Sequence, residues 1–226
     1  CICTVIKNEH QYLDEWIQYH LRLGIDYIFI FEDFDSDSHK DITNKYSCVL
    51  LLNISELFDV EEKTYLLELK QTKAKSPHHF YVKRCLQYLL NNYFLEFDWC
   101  FVIDADEFIT LENNSSKLYD IVSLYKDYDA IVLQWKCYGA CNYIQKPNQK
   151  VLEAYKYESN GCLVEKPYAL SKTCFNLKKY NDLGLSDRAK ELATIDLKNP
   201  TSHSPFGNLF YIITKMQNTF NVNLFF

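Results

Sequence analysis

The stretch Trp99-Cys100-Phe101-Val102-Ile103-Asp104-Ala105-Asp106-Glu107-Phe108-Ile109 decides how the rest of this chain reads. Its first five residues are apolar and include β-branched Val and Ile, which predicts a buried strand. Three carboxylates then arrive within four positions, and unpaired carboxylates are costly to desolvate. The charges therefore belong where the strand emerges at the sheet edge, and open α/β sheets bind ligands at the carboxyl ends of their strands. Because side chains alternate along a strand, Asp104 and Asp106 are expected to point the same way, with Ala105 small between them. Two carboxylates on one side suit a hard divalent cation that also holds substrate phosphates. A solvated turn or a helix start would give the same local pattern.

At 226 residues the chain fits one large α/β domain. Its net charge of −6 argues against a binder of nucleic acid, which would cluster Lys and Arg. The nine cysteines are an odd number without Cys-x-x-Cys pairs, neither a zinc pattern nor a disulfide framework. Cys3, Cys85 and Cys100 lie in apolar surroundings and read as small core residues. A reducing, cytoplasmic compartment is the simpler expectation. No run reaches the ~18 apolar residues of a membrane span, and no basic segment with an apolar stretch suggests a signal peptide. The chain opens on Cys1 rather than Met. An anchor upstream would instead mean the secretory-pathway lumen or a peripheral membrane association.

Residues 2–6 read as a strand, and Lys7-Asn8-Glu9 follows at once. Leu13, Trp16, Ile17, His20 and Leu21 fall at helical spacing. Asn8 with Gln11 resembles a capping arrangement, and Gly24 supplies the stop. Residues 25–31 form a second strand that breaks into the acidic loop 32–37, so a right-handed β-α-β unit and a parallel sheet follow. Further strands are expected at 49–52 and 130–135, and helices at 79–97 and 116–125. Residues 60–75 are mixed and charged. Beyond Asn142 the periodicity fades, leaving a helix at 186–193 and a strand at 209–213.

In a parallel sheet, the loops Lys7-Asn8-Glu9, 32–37 and 104–107 share one edge and line one crevice. Carboxylates there suit ribose hydroxyls or a base N–H, and a cation would handle phosphates. No Gly-rich phosphate loop is present, which counts against P-loop and dinucleotide-binding enzymes, and against a nucleotidyltransferase on a related sheet.

The residues Val5-Ile6-Lys7-Asn8-Glu9, Leu13-Asp14-Glu15-Trp16-Ile17, Tyr19-His20-Leu21 and Leu23-Gly24-Ile25 resemble the opening of family 92-type glycosyltransferases and their family 2 relatives. The block from Arg84-Cys85-Leu86 to Asp104-Ala105-Asp106-Glu107-Phe108 is similar to the family's Asp-x-Asp-Glu-Phe signature. Trp135 with Tyr138-Gly139 resembles its Trp-x-x-Phe-Gly element. The resemblance covers roughly the first 140 residues.

It implies a GT-A-type, Rossmann-like α/β fold: a mainly parallel sheet flanked by helices, with an irregular carboxyl-terminal third. Residues 1–226 would form a single glycosyltransferase domain, with a nucleotide-sugar and metal half at 1–110 and an acceptor half at 111–226. The implied activity is transfer of a sugar, often a hexose, from a nucleotide-sugar donor (UDP-sugar favoured) to a glycan or other hydroxyl acceptor with inversion, using Mn²⁺ or Mg²⁺. A catalytically degenerate carbohydrate-binding or scaffold domain of the same fold is the alternative. Carried over by residue, Asp104 and Asp106 match the metal pair, with Ala105 between them, and His203 is its candidate third ligand, against a surface histidine in a Ser/Thr/Pro-rich loop. Lys7, Asn8 and Glu9 match the loop beside the nucleotide. Glu32 and Asp33 stand where the family has Asp-Asn, which leaves the base of the nucleotide open. Arg84 and Lys83 are candidates to face phosphates, against a solvated helix face. Trp135, Tyr138 and Gly139 are acceptor candidates, against a core role for the aromatics. Inversion needs a base for the acceptor proton; Glu165, Asp182, Glu158 and Glu153 are placed for it. Glu107 either joins the site or anchors its loop, and His20 reads as a satisfied core histidine.

Overall fold

The computed structural model describes residues 1–34, 36–72, 78–93, 96–111, 117–128, 130–136, 138, 147–155, 171–178 and 220–225. The chain opens with β1 (Ile2–Ile6), α1 (Leu13–Leu23), β2 (Ile28–Glu32), the short α2 (Lys40–Thr43) and β3 (Val49–Asn53). A 3-10 turn (Ile54–Leu57), α3 (Val60–Thr72) and α4 (His78–Tyr93) lead into β4 (Trp99–Val102) and β5 (Phe108–Leu111). Then come α5 (Leu118–Ser123), β6 (Ala130–Lys136), α6 (Val151–Ala154), β7 (Ser171–Asn176) and β8 (Phe220–Phe225).

The described strands form one eight-stranded sheet in the order β3-β2-β1-β4-β7-β6-β8-β5. β1, β2, β3 and β4 pair in parallel, as do β6 and β8. β7 runs antiparallel to β4 and β6, and β5 antiparallel to β8. Parallel pairings predominate in a mixed α/β sheet, as expected, but β7 and β8 come from stretches where the sequence shows no strand pattern. The expected helix at 186–193 and strand at 209–213 lie outside the described residues.

Side-chain alternation builds a core on each face of the sheet. Ile2, Ile6, Ile28, Ile30, Trp99 and Phe101 pack with Trp16 and Ile17 of α1 and with Leu118 and Val122 of α5. Cys3, Phe29, Phe31 and Cys100 pack with Leu66 of α3 and with Tyr81, Cys85 and Leu89 of α4. Burial on both faces explains why these strands read as continuous apolar runs. Cys3, Cys85 and Cys100 are core thiols as expected, at most 1% exposed, and the six described cysteines are free.

Three local readings change. The 60–75 stretch, mixed in pattern, contains α3, which buries Leu66 while Val60 and Leu67 stay exposed. Asn8 does not cap α1. It adopts a left-handed φ of 57° and accepts a hydrogen bond from the Asp37 amide, while Tyr12 occupies the N-cap without a side-chain bond to the helix's first amides. The strand predicted to run into the acidic cluster stops at Val102, and the cluster forms a turn. Gly24 ends α1 as expected, at φ 106°. Among the described residues no helix is long and apolar enough to cross a membrane.

His20 is a satisfied core histidine. Its Nδ1 lies 2.9 Å from the Trp16 carbonyl, which accepts its proton, and its Nε2 accepts from the Ile109 amide at 3.3 Å. Burial lowers its pKa to about 3. The folded value lies below the unfolded one, near 6.5, so the stability tied to neutral His20 is present above pH 6.5. It is lost progressively as pH falls toward 3. The urea midpoint is expected to drop across that window, by a stability change on the order of a few kcal/mol, and a His20→Gln variant should show a shallower drop. Equal slopes for the two proteins would assign the acid sensitivity elsewhere.

Candidate functional site

β2 and β3 lie on one side of β1, and β4 lies on the other. The strand order therefore reverses between β1 and β4, and it is beside the carboxyl ends of strands at such a switch point that open α/β sheets form a ligand-binding crevice. The loop after β1 and the turn after β4 face each other across this switch point.

Residues 104–107 close on themselves. The Glu107 amide donates to the Asp104 carbonyl at 3.1 Å, and the Asp104 amide donates back to Glu107 Oε2 at 2.9 Å. Ala105 is buried, Asp106 is exposed and Glu107 is fully buried. Glu107 is thus the anchor of the turn, and its own burial pushes its carboxyl up to about 8 against the opposing pull of Lys172.

α1 clamps the exit of this turn. The Trp16 indole N–H donates to the Glu107 carbonyl at 2.7 Å, the Tyr19 hydroxyl to the Ile109 carbonyl at 2.7 Å, and His20 receives the Ile109 amide. Glu15 accepts from the Val151 amide at 2.8 Å, tying in α6. The Glu-Trp-Ile-x-x-His segment thus holds the acidic turn against the helix without entering the crevice. Its alternation of apolar and hydrogen-bonding residues is what a clamp needs.

The loop after β1 joins the other two loops. Glu9 faces the turn: desolvation, then the charges of Asp106 and Asp104, raise its pKa. Desolvation and the Asp104 charge raise Asp106 in the same way. On the other side, the Asn8 amide donates to Ser36 Oγ at 3.1 Å, and Lys7 Nζ lies 3.7 Å from Asp33. The three loops expected at one edge are brought together.

Two residues that sequence reading passed over organise the site. The first is His39, fully buried, whose Nε2 accepts the Glu9 amide at 2.9 Å. Its Nδ1 lies 2.9 Å from Glu32 Oε1, which also accepts the His39 amide at 2.6 Å. These partners select the neutral tautomer with the proton on Nδ1, and the ring stacks on His10 at 3.9 Å between centroids. Glu32, a nucleotide candidate by sequence, is thereby committed to His39. The second is Lys172 on β7, whose ammonium lies 2.5 Å from Asp104 Oδ2 and 3.3 Å from Glu107 Oε1. Burial works to lower its pKa, but Glu107 and Asp104 outweigh it and hold it above the ordinary lysine value. A histidine two residues past an acidic loop gave a weak signal. Lys172, in a stretch without periodicity, gave none.

Other candidates stand apart. Arg84 is paired with Glu62 and lies 5.4 Å from the Phe58 ring centroid. Asp33 accepts the Phe34 amide. Glu153 is exposed on α6, lining a cavity of about 300 Å³ with Asp14, Glu15 and Lys150. Trp135 lies in β6, with its side chain outside the described residues, and Tyr138 is half-buried. Gly139, Glu158, Glu165, Asp182 and His203 lie outside the described residues. A cavity of about 660 Å³ opens at the opposite edge, beside Cys1, Asp26 and Trp99.

No protein-family profile matches the chain. A segment is similar to a glycosyltransferase family 92 protein from Oryza sativa subsp. japonica, with 36% identity over 44 residues, 20% of this chain and 8% of the relative. A family 92 protein from Ricinus communis is 40% identical over 42 residues, 19% of this chain and 7% of the relative. The matched segment thus spans less than a tenth of either curated relative. Among solved structures, HddC from Yersinia pseudotuberculosis has a TM-score of 0.42 at 11% identity, over 100% of this chain and 88% of that one. Mouse xyloside xylosyltransferase 1 has a TM-score of 0.38 at 10% identity, over 97% and 84%. A glycosyltransferase involved in glycosylating the major capsid of PBCV-1 has 0.36 at 9% identity, over 100% and 81%.

Proposed function

We propose that this chain is a glycosyltransferase that uses a divalent cation to take a sugar from a nucleotide-sugar donor, UDP-linked by preference, and passes it with inversion to a glycan hydroxyl. The observation that carries the reading is the convergence of Glu9, Asp104 and Asp106 at the switch point of the sheet. The short similarity to family 92 glycosyltransferases supports it.

The donor chemistry fits Mn²⁺ or Mg²⁺, because carboxylate oxygens suit hard cations. Desolvation first, and then the charge of neighbouring carboxylates, raises Glu9 and Asp106, and a cation would relieve the second of these. Among the described residues, no group of three or more such side chains is gathered to hold a metal ion by itself. Asp104 and Asp106 would therefore share the ion with substrate phosphates and water, as carboxylates commonly do for Mg²⁺. When bound, the cation supplies charge neutralisation for the leaving diphosphate. Glu107 and the α1 clamp keep the two aspartates in place. Lys7 and Asn8 flank the same crevice on the nucleotide side. The acceptor proton needs a base, for which Glu158, Glu165 and Asp182 remain candidates.

Calorimetric titration with UDP and GDP, with and without Mn²⁺, tests the reading. Cation-dependent binding of one nucleotide is expected, and it would name the base. Binding of neither nucleotide under any metal would instead favour a degenerate scaffold domain. That second reading draws on Glu32, whose carboxylate is occupied by His39.

A further inference from the structure

The acidic turn carries a cation of its own. β7 runs antiparallel beside β4, with Thr173 opposite Val102 at the last rung of the ladder. Lys172 stands one residue before Thr173, level with the point where β4 gives way to the turn. Its ammonium bridges Asp104 Oδ2 at 2.5 Å and Glu107 Oε1 at 3.3 Å. The two carboxylates differ in setting. Glu107 is fully buried and held by the Asp104 amide. The Asp104 side chain is 37% exposed and opens toward the crevice that Glu9 and Asp106 share. An ammonium this close to Asp104 occupies the position from which a divalent cation would be held, and two like charges at such range repel strongly where water is partly excluded.

Resting on the function proposed above, we infer that Lys172 is a resident counter-ion of the acidic turn, which a divalent cation must displace from Asp104 on entering. In the metal-free chain, Lys172 offsets the repulsion between Asp104 and Asp106 and keeps the turn in one geometry. Its pairing with Glu107 tethers the ammonium while Asp104 changes partners. The lysine thus sets how readily the site takes a metal before any nucleotide arrives. It is a positioning and affinity-setting residue and need not touch the sugar.

The test is the affinity of the nucleotide-free protein for Mn²⁺, read from the loss of the free-ion electron paramagnetic resonance signal. Wild type, Lys172→Met and Lys172→Arg are compared. Lys172→Met keeps the aliphatic stem but removes the competing charge, and is expected to bind Mn²⁺ about tenfold more tightly. Lys172→Arg keeps the charge and should bind no more tightly than wild type. Unchanged or weaker binding by Lys172→Met, with wild type still binding, overturns the inference and leaves the metal site standing. Binding by neither protein overturns the inference, and the metal-dependent reading is then decided separately by the nucleotide titration with and without Mn²⁺. Should Lys172→Met lose its cooperative thermal transition, the wild-type chain decides. Amine acylation mapped by mass spectrometry should be several-fold faster at Lys172 under saturating Mn²⁺, and equal rates would overturn the inference.

Discussion

An Asp104→Asn variant is expected to lose cation-dependent nucleotide binding by about 100-fold, on the order of 3 kcal/mol. Asn keeps the size of the side chain and an oxygen that can still accept from Lys172, so the turn itself should persist. The lost quantity is the negative charge that a divalent cation needs. With its side chain partly exposed, Asp104 contributes little to stability through its ion pair. The thermal midpoint should therefore move by no more than a few degrees while calorimetry with UDP or GDP and Mn²⁺ goes flat. Adding Asp106→Asn should deepen the loss only modestly once the cation no longer binds. Retained metal-dependent binding in the single variant would mean that the turn after β4 is not the metal site.

His39→Ala should produce the largest stability change of any single substitution in the crevice loops. The ring is fully buried, receives the Glu9 amide, and faces a Glu32 carboxylate that is only 6% exposed. Truncation would leave that carboxylate with only the backbone amide of residue 39 as its donor, and losing a hydrogen bond to a buried charged group costs roughly 1.5–3 kcal/mol. For a chain of this size the melting midpoint should then fall by roughly 5–10 °C. If the orphaned charge is the cause, Glu32→Gln added to His39→Ala should recover much of the loss, since a neutral amide is far cheaper to bury. A double variant no more stable than the single would place the cost in the ring's packing on His10 instead. The single variant should also weaken nucleotide binding, because the backbone of Glu9 loses its tether.

Much of the parallel half was legible because its physics is local. β1, β2 and β4 are buried on both faces and therefore had to be apolar at nearly every position. α1 carries its buried stripe at helical spacing, and Gly24 marks its end. α3 was less visible because Leu66 is buried on it while Val60 and Leu67 face water, so its pattern does not repeat. β7 and β8 escaped because their pairing is non-local: β7 adds to β4 across about 70 residues of chain, and no feature of Ser171–Asn176 announces its neighbour.

The candidate site divides along the same line. Asp104, Asp106 and their place at the end of an apolar run follow from the cost of burying unpaired carboxylates, a rule that acts on a dozen consecutive residues. The expectation that they alternate along a strand did not hold, because reciprocal hydrogen bonds between Asp104 and Glu107 favour a closed turn over continued extension. By itself, then, the sequence determined an α/β chain with an acidic turn at the carboxyl edge of its sheet. Only the tertiary structure decided which charges answer that turn. It seated Lys172 of a distant antiparallel strand on Asp104 and Glu107, and it spent Glu32 on His39. Hydrophobic periodicity is written into neighbouring residues, whereas a buried charge takes its partner from whichever part of the chain the fold brings within about 3 Å.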